Sequence, residues 1–348
     1  MTRHAWSPGY VRHCGPDVVP AEAPQDLPGP PPLRCADGAR LRGESLAASA
    51  VRYRRFLLLE VPGPWGSSAL DARHLDAGVA RQLGAAASAS GAHVLLIRRP
   101  GRHPAAGPAA GQRAWALADT SPGAERVLWG TWRDPADLLS LDLTAGLPAT
   151  ACDTGPQRLA LVCTNGKRDQ CCALRGRPVA DAIATTGWDT WECSHLGGHR
   201  FAATIMLLPT GDMFGWLDPE SALEVVRWFG AGQLVLSQYR GRAGQPVPVQ
   251  AALHAAAVRL GDSRRDAVQA LSACPAPAAT GAGRPDRQAE DDADLWQVEI
   301  IHRTVHGPAA AYRVILARSR LAPALLSCLD SSPKAETRYE VLAFSRIC

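Results

Sequence analysis

Residues 158–187 read RLALVCTNGKRDQCCALRGRPVADAIATTG. The apolar run RLALVC reads as a strand. RPVADAIATTG then carries helical spacing, with Pro178 in a helix-start position and Gly187 beyond its end. Strand ends that feed a loop and a helix are where α/β layers turn free backbone groups toward a ligand. Chemistry is therefore expected at Cys163, the last residue of the strand, and at Cys172 after the loop, a C-x8-C spacing.

Working outward, WDTWEC, RFAATIMLLP and DMFGWL read as strands, the last two joined by a tight Thr210-Gly211 turn. A helix follows with Asp218 as N-cap and Pro219 at its first position, runs through SALEVVRWF and stops at Gly230. The same order stands upstream. RRFLLLEVPG reads as a strand, SALDARHLDAGVARQLGAA as an amphipathic helix, HVLLIRRPG, AWALAD and RVLWGTW as strands, and DPADLLSL as a short helix. Two β-α-β-β-β-α units predict an α/β (α+β) fold of two thioredoxin-like halves. The predicted divisions are a disordered Pro-rich tail over 1–35 and an N-terminal half without ligands over 36–150. A ligand-bearing half over 151–260, a helix end and linker over 261–293, and a β-rich appendage over 294–348 complete them. In the appendage WQVEIIHR, AYRVILARS and RYEVLAFSR read as strands.

Composition limits the function. With 348 residues, 46% of them hydrophobic, the chain can bury large cores, and a net charge of +4 with both signs interspersed supports neither a nucleic-acid nor a lipid surface. Runs such as FLLLEV and TIMLLP are far shorter than a membrane span, and the first residues lack the apolar core of a secretory signal, so a cytoplasmic protein is expected. Ten cysteines are too few for a disulfide-stapled domain of this length. Four fall between Cys163 and Cys193; Cys14, Cys35, Cys152, Cys274, Cys328 and Cys348 are scattered and read as ordinary structural or surface thiols.

A second segment completes a donor set. WECSHLGGHRF, residues 191–201, holds His195 and His199 four positions apart around Gly197-Gly198. That glycine pair costs a helix about 2 kcal/mol relative to alanine, so a tight loop is expected. Two imidazoles and two loop cysteines at a strand end point to a metal. Asn165 is the only asparagine in the chain and Lys167 one of two lysines, so the loop has a composition of its own; the plain alternative is an Asn-Gly turn. The equivalent loop of the first half, PGPWGSS, has neither cysteine nor histidine. A Cys2His2 zinc knuckle uses a closer cysteine pair, and the C-x-x-C-H of a c-type haem is absent. Rieske centres use the same four donors, but each of their loops supplies one cysteine and one histidine.

VCTNGKRDQCCALRGRPVA followed by CSHLGGHRFAATIMLLPTG resembles the sucrase/ferredoxin-like family, relatives of the thioredoxin-like [2Fe–2S] ferredoxins. The resemblance is strongest over about residues 155–230 and weaker over the first half. It implies a [2Fe–2S] cluster held by Cys163, Cys172, His195 and His199, and a one-electron carrier rather than a stand-alone enzyme. It also implies a reductase as electron donor and an acceptor whose identity is open. Cys172 fills the family position, with the adjacent Cys171 as the alternative, and Cys193 reads as a packing thiol. Ser194, Gly197 and Gly198 are candidate hydrogen-bond donors around the ligands, and Lys167, Arg168 and Arg200 flank them with positive charge. The acidic residues form no motif for a glycosidase pair. Two rival readings are a structural zinc-binding interaction module and a thioredoxin-like thiol oxidoreductase using Cys171 or Cys172.

Overall fold

The computed structural model describes residues 33–71, 75–101, 111–143, 157–276 and 294–347. The expected tail over 1–35 and the linker core over 277–293 therefore lie almost wholly outside the described residues.

The first half runs β1 (Arg55–Glu60), α2 (Ala77–Ser90), β2 (Ala92–Arg98), β3 (Arg113–Asp119) and β4 (Arg126–Trp132), preceded by a short helix α1 (Cys35–Leu41). The second runs β5 (Leu159–Cys163), α3 (Gln170–Ile183), β6 (Asp189–Cys193), β7 (Ile205–Leu208), β8 (Asp212–Phe214) and α4 (Pro219–Gly230). In each half the opening strand pairs in parallel with the second and antiparallel with the third, which pairs antiparallel with the fourth. The expected β-α-β-β-β order is thus present in both halves, within an α/β (α+β) fold. β9 (Tyr239–Arg242) extends the sheet to nine strands in the order β4-β3-β1-β2-β6-β5-β7-β8-β9.

Only two residue pairs, Ile97 with Cys193 and Arg98 with Glu192, join β2 to β6. So short a seam lets the sheet fold back on itself. Trp129 on β4 lies 5.9 Å from Trp191 on β6, and Gly211 in the β7–β8 turn sits against Thr120 beyond β3. Strands spaced about 4.8 Å apart could not make such contacts in a flat sheet. The halves therefore share one apolar layer, with Phe56, Leu58 and Ile97 from the first and Leu161, Trp191 and Met206 from the second. The opposite faces are covered separately, by α2 over Leu57, Leu59 and Leu96 and by α3 and α4 over Val162, Ile205 and Leu207. This two-sided burial is why β1 and β5 read as continuous apolar runs.

α4 begins at the Asp218 cap with Pro219 in its first turn and buries Ala222, Val225, Val226 and Phe229, one helical stripe. The helix predicted over RPVADAIATTG begins eight residues earlier than Pro178, at Gln170, capped by Asp169. Pro178 lies inside it and withholds the hydrogen bond due to the Leu174 carbonyl. Leu174 is exposed, so water can supply that donor, which is why the proline is tolerated. Cys171 and Cys172 consequently stand in a helical first turn rather than in a loop. The strand predicted from Arg200 to Pro209 shortens to β7, because His199–Phe201 forms a 3-10 turn.

Past β9, the helix α5 (Val247–Leu260) and the strands β10 (Val268–Pro275), β11 (Leu295–His302), β12 (Ala310–Arg320) and β13 (Thr337–Arg346) form a second layer. The four strands make an antiparallel sheet in chain order, and β11 alternates buried and half-buried residues as a one-sided sheet should. Its covered face packs Trp296, Val298 and Ile300 on Ala251, Ala252 and Ala256 of α5. β10 comes from the stretch read as helix end and linker.

Candidate metal centre

The loops that carry the candidate ligands leave the C-terminal ends of the parallel pair β5 and β6, where Cys163 and Cys193 face each other in register. The Cys163 and Cys172 sulfurs and a His195 ring nitrogen lie within 4.8 Å of one another. The His195 Nδ1 is 4.0 Å from the Cys163 sulfur. Hydrogen bonding from Cys172 and the nearby His195 pull the Cys163 thiol well below its usual range against the effect of burial. The Cys172 thiol is pushed up correspondingly, as the partner that keeps its proton. His199 falls outside that tight group but stacks on His195, with ring centroids 5.3 Å apart. Its Nδ1 is buried and has no hydrogen-bond partner. An unpaired buried ring nitrogen near two thiols and a second imidazole is compatible with metal binding. Both thiols are buried, whereas both imidazoles are half-buried.

Cys171 is turned away from this group, toward Cys35 and Cys328. Neighbouring residues of a helix point about 100° apart, so one cysteine pair faces two different sites. Cys193 is buried in the shared apolar layer, with its thiol raised first by burial.

The closeness of Cys172 to Cys163 depends on a backbone contact. A Cβ added to Gly176 would lie 2.2 Å from the Cys163 carbonyl oxygen, so α3 rests directly on the end of β5. Gly176→Ala is expected to lever the helix off the strand, costing about 1–3 kcal/mol, and metal content should fall with it. Urea unfolding alongside metal analysis checks both.

The remaining supports come largely from the half that has no ligands. The Asn165 side chain donates to the Gly66 carbonyl at 2.9 Å, in the very loop that corresponds to its own, and accepts from the Lys167 amide at 3.1 Å. The lone asparagine is thus both a turn and a strut. Asn165→Asp keeps the turn but removes the donor, and is expected to cost about 1–2 kcal/mol by denaturant unfolding. The Ser194 hydroxyl accepts from the Leu96 amide and its amide donates to the Leu96 carbonyl, so this serine is tied to β2 with its hydroxyl hydrogen left to donate. His93, stacked on Tyr53, hydrogen-bonds the backbone of His195, and burial pushes the pKa of its ring down. Arg98 pairs with the buried Glu192, which also accepts from the Thr164 hydroxyl. The Arg98 guanidinium lies 4.2 Å over the Trp65 ring.

Two arginines depart from the sequence reading. Arg200 is buried, with its charge taken up by Glu44 and Glu336, so it offers no exposed docking charge. Arg240, not singled out from the sequence, is 1% exposed and donates to Gly197 O at 3.1 Å and to the Ser49 hydroxyl at 2.9 Å. Gly197 and Gly198 have φ of +75° and +67°, and a Cβ on Gly198 would meet the Arg240 guanidinium at 2.4 Å. The glycine pair therefore lets the histidine turn close over a buried cation. Lys167 and Arg168 are exposed as expected. Among the described residues no helix is long and apolar enough to cross a membrane.

No curated protein and no solved structure matches the chain significantly. The profile of the family described as Sucrase/ferredoxin-like matches residues 46–241, both halves through β9, a span that takes in Cys163, Cys172, His195 and His199 and leaves out Cys35 and Cys328. That span is more than half of the 348 residues, and the chain belongs to the sucrase/ferredoxin-like family.

Proposed function

We propose that this protein is a one-electron carrier whose Cys163, Cys172, His195 and His199 hold a [2Fe–2S] cluster, served by a reductase and passing electrons to an acceptor protein or small molecule. The observation that carries the reading is the unpartnered, buried Nδ1 of His199 beside the convergence of Cys163, Cys172 and His195. Such a cluster supplies reversible one-electron transfer, at a potential raised by exchanging two thiolates for neutral imidazoles.

The chain's own residues suit that task in three respects. The buried thiols are kept from solvent and oxidants, while the half-buried imidazoles give a route to the surface. His195 borders a groove of about 450 Å³ shared with Tyr53, His93, Asn165 and Arg168, a place for an acceptor to approach. Arg240 puts a buried positive charge within electrostatic reach of Cys163 and Cys172, favouring the reduced, more negative state. The thiol-oxidoreductase alternative fares less well. Hydrogen bonding from Cys35 draws the Cys171 thiol to about 6, as a nucleophile needs, but Cys171 is fully buried, and so is Cys172.

Electron paramagnetic resonance of the dithionite-reduced protein tests the reading, since mixed nitrogen and sulfur ligation shifts the g-values away from those of an all-thiolate cluster. His199→Cys is expected to lower the potential by about 100 mV or more. An unchanged potential and spectrum would remove His199 from the ligand set, and a colourless, iron-free protein after anaerobic purification would end the proposal.

A further inference from the structure

The cysteines that the sequence left scattered form a second convergence. Cys35 opens α1, Cys171 stands in the first turn of α3, and Cys328 lies in the connection between β12 and β13. Their sulfurs form a triangle with sides of 3.7 Å (Cys35–Cys171), 3.5 Å (Cys171–Cys328) and 3.6 Å (Cys328–Cys35). Both carboxylate oxygens of Asp169 lie 3.6 Å from the Cys35 sulfur. Asp169 is itself fully buried and firmly placed, accepting from the Cys171 amide at 2.9 Å, the Ser327 hydroxyl at 2.9 Å and the Cys328 amide at 2.8 Å. These three bonds leave the carboxylate a free lone pair, and all four donor groups lie within 4.8 Å of one another.

The dimensions fit a single four-coordinate ion. Metal–sulfur bonds of about 2.3 Å at tetrahedral angles place neighbouring sulfurs about 3.8 Å apart, and a carboxylate oxygen bound at about 2.0 Å falls about 3.5 Å from each sulfur. The observed triangle, and the 3.6 Å between Asp169 and the Cys35 sulfur, match those edges for a single ion, and three soft thiolates select zinc over magnesium or calcium. Cys35, Cys171 and Asp169 are buried and Cys328 is half-buried, which is the closed surrounding of a structural rather than a catalytic site.

We propose that Cys35, Cys171, Cys328 and Asp169 bind one structural zinc ion. Its ligands come from three segments remote in the chain, 136 positions separating Cys35 from Cys171 and 157 separating Cys171 from Cys328. The ion fastens α1 and the β12–β13 connection to the start of α3. The zinc set shares no residue with Cys163, Cys172, His195 and His199, so the inference stands or falls apart from the electron-carrier reading.

The test is metal analysis of the full chain purified anaerobically from zinc-containing medium, with X-ray absorption at the zinc edge. Wild type is expected to hold about one zinc, ligated by three sulfurs and one lighter atom. Cys328→Ser, on a half-exposed connection, should lower zinc by about tenfold or more with iron content and circular dichroism unchanged, whereas Cys172→Ser should lower iron and spare zinc. Zinc-free wild type, zinc that survives Cys328→Ser, or two of the three cysteines recovered as a disulfide would each overturn the proposal. Zinc present without iron, and lost only in Cys172→Ser, would overturn both this inference and the cluster reading. Absence of iron with zinc still dependent on Cys328 would sink the cluster alone.

Discussion

Cys172→Ser is expected to yield a colourless protein with about a tenth or less of the wild-type iron and acid-labile sulfide, while Cys171→Ser remains coloured and keeps most of its iron. The two residues are chemically identical and adjacent, so neither burial nor composition separates them; both are buried. Direction separates them. Cys172 faces Cys163 and His195, and Cys171 faces Cys35 and Cys328. Visible absorption and iron analysis of the two variants read the difference, and the reverse outcome would exchange their assignments.

Arg98→Ala is expected to cost about 3–5 kcal/mol of unfolding free energy. Glu192 is 3% exposed, and without Arg98 it would keep a buried charge with the Thr164 hydroxyl as its remaining side-chain donor. The pair also spans the short β2–β6 seam, so its loss strikes where the two halves have the fewest ladder bonds. The neighbouring pair Arg99–Asp189 gives the contrast. Its arginine is 52% exposed, and Arg99→Ala should cost no more than about 1 kcal/mol in urea titrations. Joint replacement of Arg98 and Glu192 by apolar residues should recover a good part of the loss, since the penalty comes mainly from the stranded charge.

Much of this architecture was legible in local patterns. The apolar runs of β1 and β5, the Asp218-Pro219 start of α4 and the Thr210-Gly211 turn each carry their signal within a few residues. The start of α3 departs from the local pattern because Pro178 is a strong punctuation mark, and only the exposure of Leu174 shows why it is harmless there. α5 had boundary residues in Pro246 and Gly261, but an alanine-rich helix buried on several faces shows little periodicity. C-x8-C and H-x-G-G-H announced one donor set because each pair lies in a single segment. The triangle of Cys35, Cys171 and Cys328 has no motif, since its members meet only through tertiary packing. The contributions of Arg98, His93 and Gly66 were hidden for a similar reason: a half with no ligands of its own gives no chemical hint that it braces those of the other.

The shared apolar layer also decides how this protein can be dissected in the laboratory. Cleavage or truncation anywhere between Leu143 and Gln157 would wet Phe56, Leu58 and Ile97 on one fragment and Leu161, Trp191 and Met206 on the other. Each piece would then carry a sticky flank on one side of its strands. Bacterial expression of the second half by itself should therefore deliver inclusion bodies, however complete its set of cysteines and histidines.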